Sequence, residues 1–438
     1  MKMKLEIKVP NYVREIQKKL NEYGYECYIV GGAIRDTLLG IPINDFDLAT
    51  SASTDIMKRI FSDYYIINNN GLKHNTITIH INNDNIEITS FKHNLEEDNS
   101  IEVDLSHRDF TINSLAYSDH LVDPWNGYND LCNHIIRANN PIERINEDPI
   151  RILRGLRLSS TLGFSINDET SRAIHLLKGK LKDSSKERIK NEIDDIISGE
   201  NAKEVLLDYY DVIFEIIPEL EATYNFDQRN PYHNKPIYDH LISTFDNIHL
   251  SDKYSNIITR TAGLLHDIGK PQCFSVDENG IGHFYSHSEA SREISSRILR
   301  RLRYSNKECE DILFLIKYHD YQINYTEGCI KKLLAKTPNQ SEELIYMLLE
   351  LINADRLDHT TYQLIDIAKV RDIIDSIKRK NLCINRASLM INGYDLIALG
   401  YSGREIREIL DYLLDLVIND KINNDREELL NIASSYDK

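Results

Sequence analysis

The feature that most constrains this chain is a change of hydrophobic period about a third of the way along it. Residues 1–138 alternate short β-rich runs, Cys27–Val30, Thr76–Ile81 and 85–89, with stretches of helical period, the pattern of a mixed α/β unit. From Pro149 onward apolar residues recur every three or four positions, through Ile152, Leu156, Ile189, Ile193 and Ile197, with few strand signals. The chain therefore reads as α+β, a sheet-bearing head followed by an all-α region. Its 438 residues, 41% of them hydrophobic, exceed what one core organises, and two or three units are expected. The turn-rich, polar stretch 224–236 is the expected internal boundary.

Composition narrows the class. Six cysteines, Cys27, Cys132, Cys273, Cys309, Cys329 and Cys383, lie far apart without a CxxC pair, which disfavours a disulfide framework or a thiolate zinc site and fits a reducing cytoplasm. No apolar signal core opens the chain and no run approaches the ~18 residues of a membrane span, so a soluble, cytoplasmic protein is expected. A net charge of -17 argues globally against a nucleic-acid partner. Charge is uneven, however: residues 131–190 carry twelve Lys/Arg against seven Asp/Glu, and 297–303 form a second basic run. Either run can be a phosphate-binding patch or an ordinary solvated helix face.

The most informative segment is 28–50, YIVGGAIRDTLLGIPINDFDLAT. A hydrophobic strand runs into Gly31-Gly32 and then a helical stretch carrying Arg35 and Asp36. Glycines there let the backbone approach a triphosphate, and the following helix N-terminus offers free N–H groups. Asp45-Phe46-Asp47 follows; on a strand, residues i and i+2 point to one face, so both carboxylates converge on hard cations. Two Mg²⁺ ions held this way activate an attacking 3′ hydroxyl and stabilise leaving pyrophosphate. Glu87 is a plausible third carboxylate. A bare DxD is otherwise a turn or a surface pair.

Together these residues resemble the class II tRNA nucleotidyltransferase and bacterial poly(A) polymerase family, within the polymerase β superfamily. Gly31, Gly32, Arg35, Asp45 and Asp47 match its first motif, and Glu87 stands where its third metal-binding carboxylate is expected. Arg108-Asp109-Phe110-Thr111-Ile112-Asn113 matches the RRDFTxN motif, which implies contacts from Arg108, Asp109 and Asn113 to the incoming nucleotide; His107 replaces the first arginine. Asp123-Pro124, Gly127 and Asp130-Leu131 resemble a head-to-neck segment. Glu147-Asp148-Pro149-Ile150-Arg151 matches EDxxR, implied to act as an amino-acid template for the base, with Arg154 and Arg157 extending the basic face. Asp148 and Arg151, three apart, would share a helix face and meet a base edge together; alone, such spacing usually marks a surface ion pair. Glu187-Arg188-Ile189 with Glu192 resembles a helical motif of structural role. Ile391-Asn392-Gly393-Tyr394-Asp395-Leu396, Gly400, Gly403 and the run Ile406, Leu410, Leu413, Val417 resemble a tail that holds the tRNA elbow.

Downstream, His240, His266-Asp267-Ile268-Gly269-Lys270 and Asp355 reproduce the order H…HD…D of HD-domain phosphohydrolases, with His287 and His319 placed to recruit a second ion. These ligands suit Mn²⁺, Mg²⁺, Fe or Ni more than structural zinc. The resemblance thus implies a polymerase β-like head (1–138), a helical neck with the base-selecting motif (139–225), an HD metal-binding domain (226–380) and a tRNA-binding tail (381–438). It implies transfer of CMP, and of AMP, from CTP and ATP to the tRNA 3′ end with Mg²⁺ at the head and a divalent metal at the HD site. The segment 91–108 looks short for the loop that switches a pocket from CTP to ATP, a pattern shared with CC-adding relatives. A poly(A) polymerase and an HD phosphohydrolase with a relic head are the alternatives.

Overall fold

The computed structural model describes residues 8–43, 45–67, 75–81, 84–92, 98–230, 235–358 and 363–436. The chain divides into two compact units, Met1–Ile216 and Ile217–Lys438.

The first unit is built on a seven-stranded mixed sheet. Its strands are β1 (Cys27–Val30), β2 (Asp47–Thr50), β3 (Tyr65–Ile67), β4 (Thr76–Ile81), β5 (Asp84–Ser90), β6 (Ala116–Tyr117) and β7 (Leu121–Val122), in the order β3-β4-β5-β2-β1-β6-β7. β2 runs parallel to β5 and antiparallel to β1, in a register that sets Asp47 beside Glu87 and Val30. Alternate residues Leu48, Ile86 and Ile88 turn inward and pack with Ile29, Ile34, Phe61, Ile77 and Ile79. A two-residue slip is tolerated by this alternation but a one-residue slip is not, because it would bury Asp47 and Glu87 in that core.

Between β1 and the helix Gly32–Leu39 the chain turns at Gly31, whose φ of 71° and ψ of -133° only glycine adopts readily. The neck then stacks the helices Arg151–Leu162 and Lys186–Ser198, with Ile152, Leu156, Ile189, Ile193 and Ile196 buried along facing stripes.

The second unit is helical, as expected, around Lys253–Leu265, Asn306–Tyr318 and Glu342–Arg356. It also contains a short antiparallel hairpin, Phe274–Val276 with Gly282–Phe284. The hairpin turns on Asp277-Glu278-Asn279-Gly280, where Asp277 Oδ1 accepts the N–H groups of Asn279 and Ile281 and Gly280 has φ of 80°. Such an Asp-x-Asn-Gly turn is a readable hairpin signal that the helical period of its surroundings hides. The C-terminal segment has its own cluster, Ile391, Leu396, Tyr401, Ile409, Leu413, Val417 and Leu429. No helix among the described residues is long and apolar enough to cross a membrane.

Candidate functional sites of the head and the helical domain

In the first unit a cavity of about 220 Å³ opens at the end of β2 and β5, lined by Asp47, Glu87, His107, Arg108, Asp109, Arg151 and Arg154 among others. Asp45 precedes β2 rather than lying in it, yet exposure alternates from Asp45 (out) through Phe46 (in) to Asp47 (out), so the two carboxylates share a side. Among the described residues, Asp45, Asp47 and Glu87 do not close to within 4.8 Å as a trio. An open set of carboxylate oxygens suits a magnesium ion that keeps part of its water shell.

The arginines of this cavity are held from behind. Arg35 Nη1 donates to Asn113 Oδ1 at 2.8 Å, Asn113 Nδ2 donates to Asp109 Oδ1 at 3.3 Å, and Asp109 Oδ2 lies 2.9 Å from Arg154 Nη2. Burial pushes the Asp109 carboxyl up, but Arg154, Asn113 and the Phe110 N–H outweigh it and hold the group below its ordinary value. Arg108 is braced against Asp104 at 3.1 Å, and its Nη1 stands 3.3 Å from where a Cβ on Gly31 would lie. A side chain at Gly31 would therefore displace Arg108.

The EDxxR segment is arranged differently from the expectation of one helix face. The helix Pro141–Glu147 ends at Asp148, which is extended (φ -148°, ψ 98°), and a new helix begins at Arg151. Pro149 is the cause, since the residue before a proline is driven out of the helical region. The Arg151 guanidinium consequently forms no ion pair with the Asp148 carboxylate among the described residues, although the Arg151 backbone N–H donates to Asp148 O at 3.1 Å. Its Nη1 donates to Glu147 Oε2 and Arg144 O, both at 2.9 Å, and its Nη2 to His107 O at 3.0 Å. Asp148 is instead gripped by Arg188, at 2.7 and 3.2 Å. Arg188 thus meets the EDxxR segment directly, where the sequence had suggested a structural motif. Arg144, buried, bonds His107 Nδ1 at 3.1 Å and Glu147 at 2.8 Å, so a guanidinium still stands beside the position where the motif arginine is replaced. The segment 91–108 contains a helix, Ile101–Ser106, capped by Ser100; residues 93–97, where the proposed loop truncation would be judged, lie outside the described residues.

The second unit holds a tighter cluster. His240 comes from the helix Ile237–Asp246, His266 caps Lys253–Leu265 with Asp267 next to it, and Asp355 comes from Glu342–Arg356. His240 Nε2 lies 3.0 Å from Asp355 Oδ1, 3.4 Å from Asp267 Oδ2 and 3.3 Å from His266 Nε2. On the other side of Asp267, His287 Nε2 lies 3.2 Å from Oδ1, 3.3 Å from His319 Nε2 and 3.1 Å from Asp320 Oδ2. Asp267 therefore bridges two groups of potential ligands, and Asp320 joins the second, a residue that its position beside His319 made legible but that spacing alone did not single out.

The tautomers follow from the partners. His266, His287 and His319 each turn Nδ1 to a backbone carbonyl, of Gly263, Phe284 and Ile316, which fixes the proton there and leaves Nε2 as an acceptor. Two such acceptors 3.3 Å apart repel unless a cation or a proton stands between them. Burial opposes charge on His240, yet Asp267, Asp355 and Asp358 push it up to about 10, and against the same burial Asp267 and Asp355 push His266 up to about 9. Asp267 Oδ1 is buried and accepts no hydrogen bond among the described residues. The donor set therefore fits a divalent cation. Asp358, missed in the sequence, bonds His240 Nδ1 at 3.0 Å and is itself held by Lys235 and Ser243, an orienting contact behind the ligand. Lys270 Nζ, 2.6 Å from Asp267 Oδ2 and 3.0 Å from Gln228 Oε1, balances the central carboxylate.

Three regions of the chain match known family models. Residues 27–137 match the poly A polymerase head domain, 163–223 the probable RNA and SrmB-binding site of polymerase A, and 237–363 the HD domain. The chain joins a polymerase-type head to an HD-type helical domain. In these regions it is similar to the class II tRNA nucleotidyltransferase and poly(A) polymerase family. A CCA-adding enzyme of Ligilactobacillus salivarius is 38% identical over 210 residues, 45% of this chain and 51% of the relative. A CC-adding tRNA nucleotidyltransferase of Halalkalibacterium halodurans is 37% identical over 186 residues, 42% of this chain and 48% of the relative. The chain's matches thus span about half the length of these curated relatives. The crystal structure of the Bacillus stearothermophilus CCA-adding enzyme in complex with CTP superposes with a TM-score of 0.70 at 23% identity, covering 98% of both chains, which establishes the shared fold.

Proposed function

We propose that this protein adds CMP, and AMP where the pocket admits it, from CTP and ATP to the 3′ end of tRNA without a nucleic-acid template. The observation that carries the reading is the parallel register of β2 and β5, which sets Asp47 beside Glu87 at the mouth of a cavity walled by Arg108, Asp109, Arg151 and Arg154. Asp45, Asp47 and Glu87 would hold Mg²⁺, which supplies activation of the 3′ hydroxyl and neutralisation of leaving pyrophosphate when bound. Gly31 and Gly32 give the triphosphate a close approach, with Arg35 and Asn113 bracing the wall behind it, while Arg108 offers charge to its oxygens. Glu147, Asp148 and Arg151 would read the base edge, with Arg188 and Arg144 setting their directions. On this reading residues 1–138 form the head, 139–225 the neck, 226–380 the HD domain and 381–438 a tail that grips tRNA, in the cytoplasm. The test is incubation of tRNA lacking CCA with Mg²⁺ and CTP, ATP or both, read by product length. Extension to CCA supports the full activity; arrest at CC with ATP present supports the CC-adding form; long tails from ATP alone make it a poly(A) polymerase. No extension by the intact protein removes the proposal.

A second activity is favoured by the Asp267 bridge. We infer that His240, His266, Asp267 and Asp355 hold a divalent ion such as Mn²⁺, Mg²⁺, Fe or Ni, with His287, His319 and Asp320 beside a second, for hydrolysis of phosphate esters at damaged RNA ends. Phosphatase activity that survives Asp47→Ala but not Asp267→Asn supports it; a metal-free protein after reconstitution rejects it.

A further inference from the structure

A second basic cavity, lined by none of the residues assigned so far, lies within the helical unit. It encloses about 400 Å³ between the helices His287–Arg301, Asn306–Tyr318 and Glu327–Lys336. Arg292, Ser296 and Arg300 stand four residues apart on the first helix and so share one face, Lys317 and Tyr318 come from the second, and Lys336 closes the third. Four cations face this cavity against one lining carboxylate, Glu310, in a chain whose net charge is -17. A local reversal of sign against the overall charge is an electrostatic trap for an anion.

The cations are disposed to receive a ligand. Arg300 and Lys336 are exposed and make no ion pair among the described residues, and Arg292 and Lys317 share a single carboxylate, Glu289, at 2.9 and 3.9 Å. The ammonium groups of Lys317 and Lys336 lie 5.7 and 5.4 Å from the centre of the Tyr318 ring, which packs at 4.8 Å against Phe314. Positive charge thus lies over the Tyr318 ring, and the largely buried Tyr304 lines the same cavity. A small inorganic anion would leave the aromatic lining unused, whereas a planar base carrying phosphate would meet both. The volume falls in the range of small-molecule sites, about 300–1,000 Å³.

We propose that this cavity binds a nucleoside phosphate, with Arg300, Lys317 and Lys336 on the phosphate and Tyr318 and Tyr304 against the base. The ligand is a free nucleotide or one nucleotide of an RNA strand; the chemistry is the same. The site is independent of the head, so its test does not depend on transfer activity.

Lysine acetylation of the full-length protein, mapped by mass spectrometry, reads Lys317 and Lys336 directly while Lys307, outside the lining, serves as an internal control. ATP, CTP, a single-stranded RNA 12-mer and inorganic pyrophosphate are the added probes. Protection of Lys317 and Lys336 by about fivefold at up to about 1 mM nucleotide, with Lys307 unchanged, is expected. Protection by ATP or CTP identifies a free nucleotide, and protection by the oligonucleotide alone identifies a strand. Arg300→Glu is expected to raise the half-protecting concentration about tenfold. Tyr318→Phe should keep the preference for nucleotide over pyrophosphate, and Tyr318→Leu should lose it. Equal protection by pyrophosphate, protection by none of the four probes, or an unchanged response in Arg300→Glu overturns the proposal.

Discussion

At the scale of single residues, the roles turn on who holds whom. Arg188 grips Asp148 through two bonds while both remain partly in solvent, with side-chain exposures of 52% and 32%. Such a pair contributes under about 1 kcal/mol to folding. Arg188→Ala is therefore expected to leave the thermal midpoint nearly unchanged while lowering kcat/KM for CTP and eroding discrimination between CTP and ATP, as Asp148 loses its fixed direction; unchanged selectivity would return Arg188 to a structural role. Asp109 behaves oppositely, because it is buried. Its carboxyl is held below its ordinary value in the fold, so it stabilises the protein above the unfolded value of about 4, and that stabilisation is lost as pH falls through the lower folded value. Asp109→Asn should cost about 1–3 kcal/mol at neutral pH and flatten the acid side of the stability profile, measured as thermal midpoint from pH 3 to 7. A mutant as acid-sensitive as the parent would contradict this assignment.

At the scale of elements, the histidine site depends on one close approach. A Cβ on Gly269 would lie 2.5 Å from Ser291 N and 2.8 Å from Ala290 C, both backbone atoms of the helix His287–Arg301 that carries His287. The glycine N–H also donates to Ser291 Oγ at 2.9 Å. Gly269→Ala must push that helix off the HD turn, at a cost of about 1–3 kcal/mol. Because His287 moves with its helix, the second ion beside Asp267 should be lost first, read as a drop in bound metal per chain. Retention of full metal content would show that the helix shifts without carrying its histidine. The heptad-like stripes of the neck were visible in sequence, but the break at Asp148 was only half visible: Pro149 signals it, while the periodicity on either side suggests one continuous helix.

At the scale of the molecule, two compact units with separate cores are expected to unfold separately. Metal bound only by the folded HD site stabilises the unit Ile217–Lys438 by mass action and leaves the head's transition largely in place. Calorimetry should resolve two transitions, of which EDTA or Asp267→Asn lowers one; a single transition that shifts as a whole would mean the units are thermodynamically coupled. The burial of His240, His266 and Asp267 supports this selectivity, since buried imidazoles and carboxylates gathered this closely are a donor set that a cation would balance.

Much of the head was legible in the sequence because strand alternation and glycine chemistry are local: the Gly31 turn, the β2 and β5 runs and the DxD spacing all follow from neighbours a few residues away, as does the HD dipeptide of the helical unit. Local rules also foretold the sheet-then-helix order and the amphipathic neck. Tertiary structure alone decided the partners. That Asp47 faces Glu87, that Asp148 chooses Arg188 over Arg151, that Asp358 stands behind His240 and that Asp267 bridges two clusters are contacts across 40, 40, 118 and up to 52 residues of chain, distances over which spacing carries no geometric information. The same holds for the second basic cavity, whose cations are scattered through three helices and become one site only when packing brings their faces together.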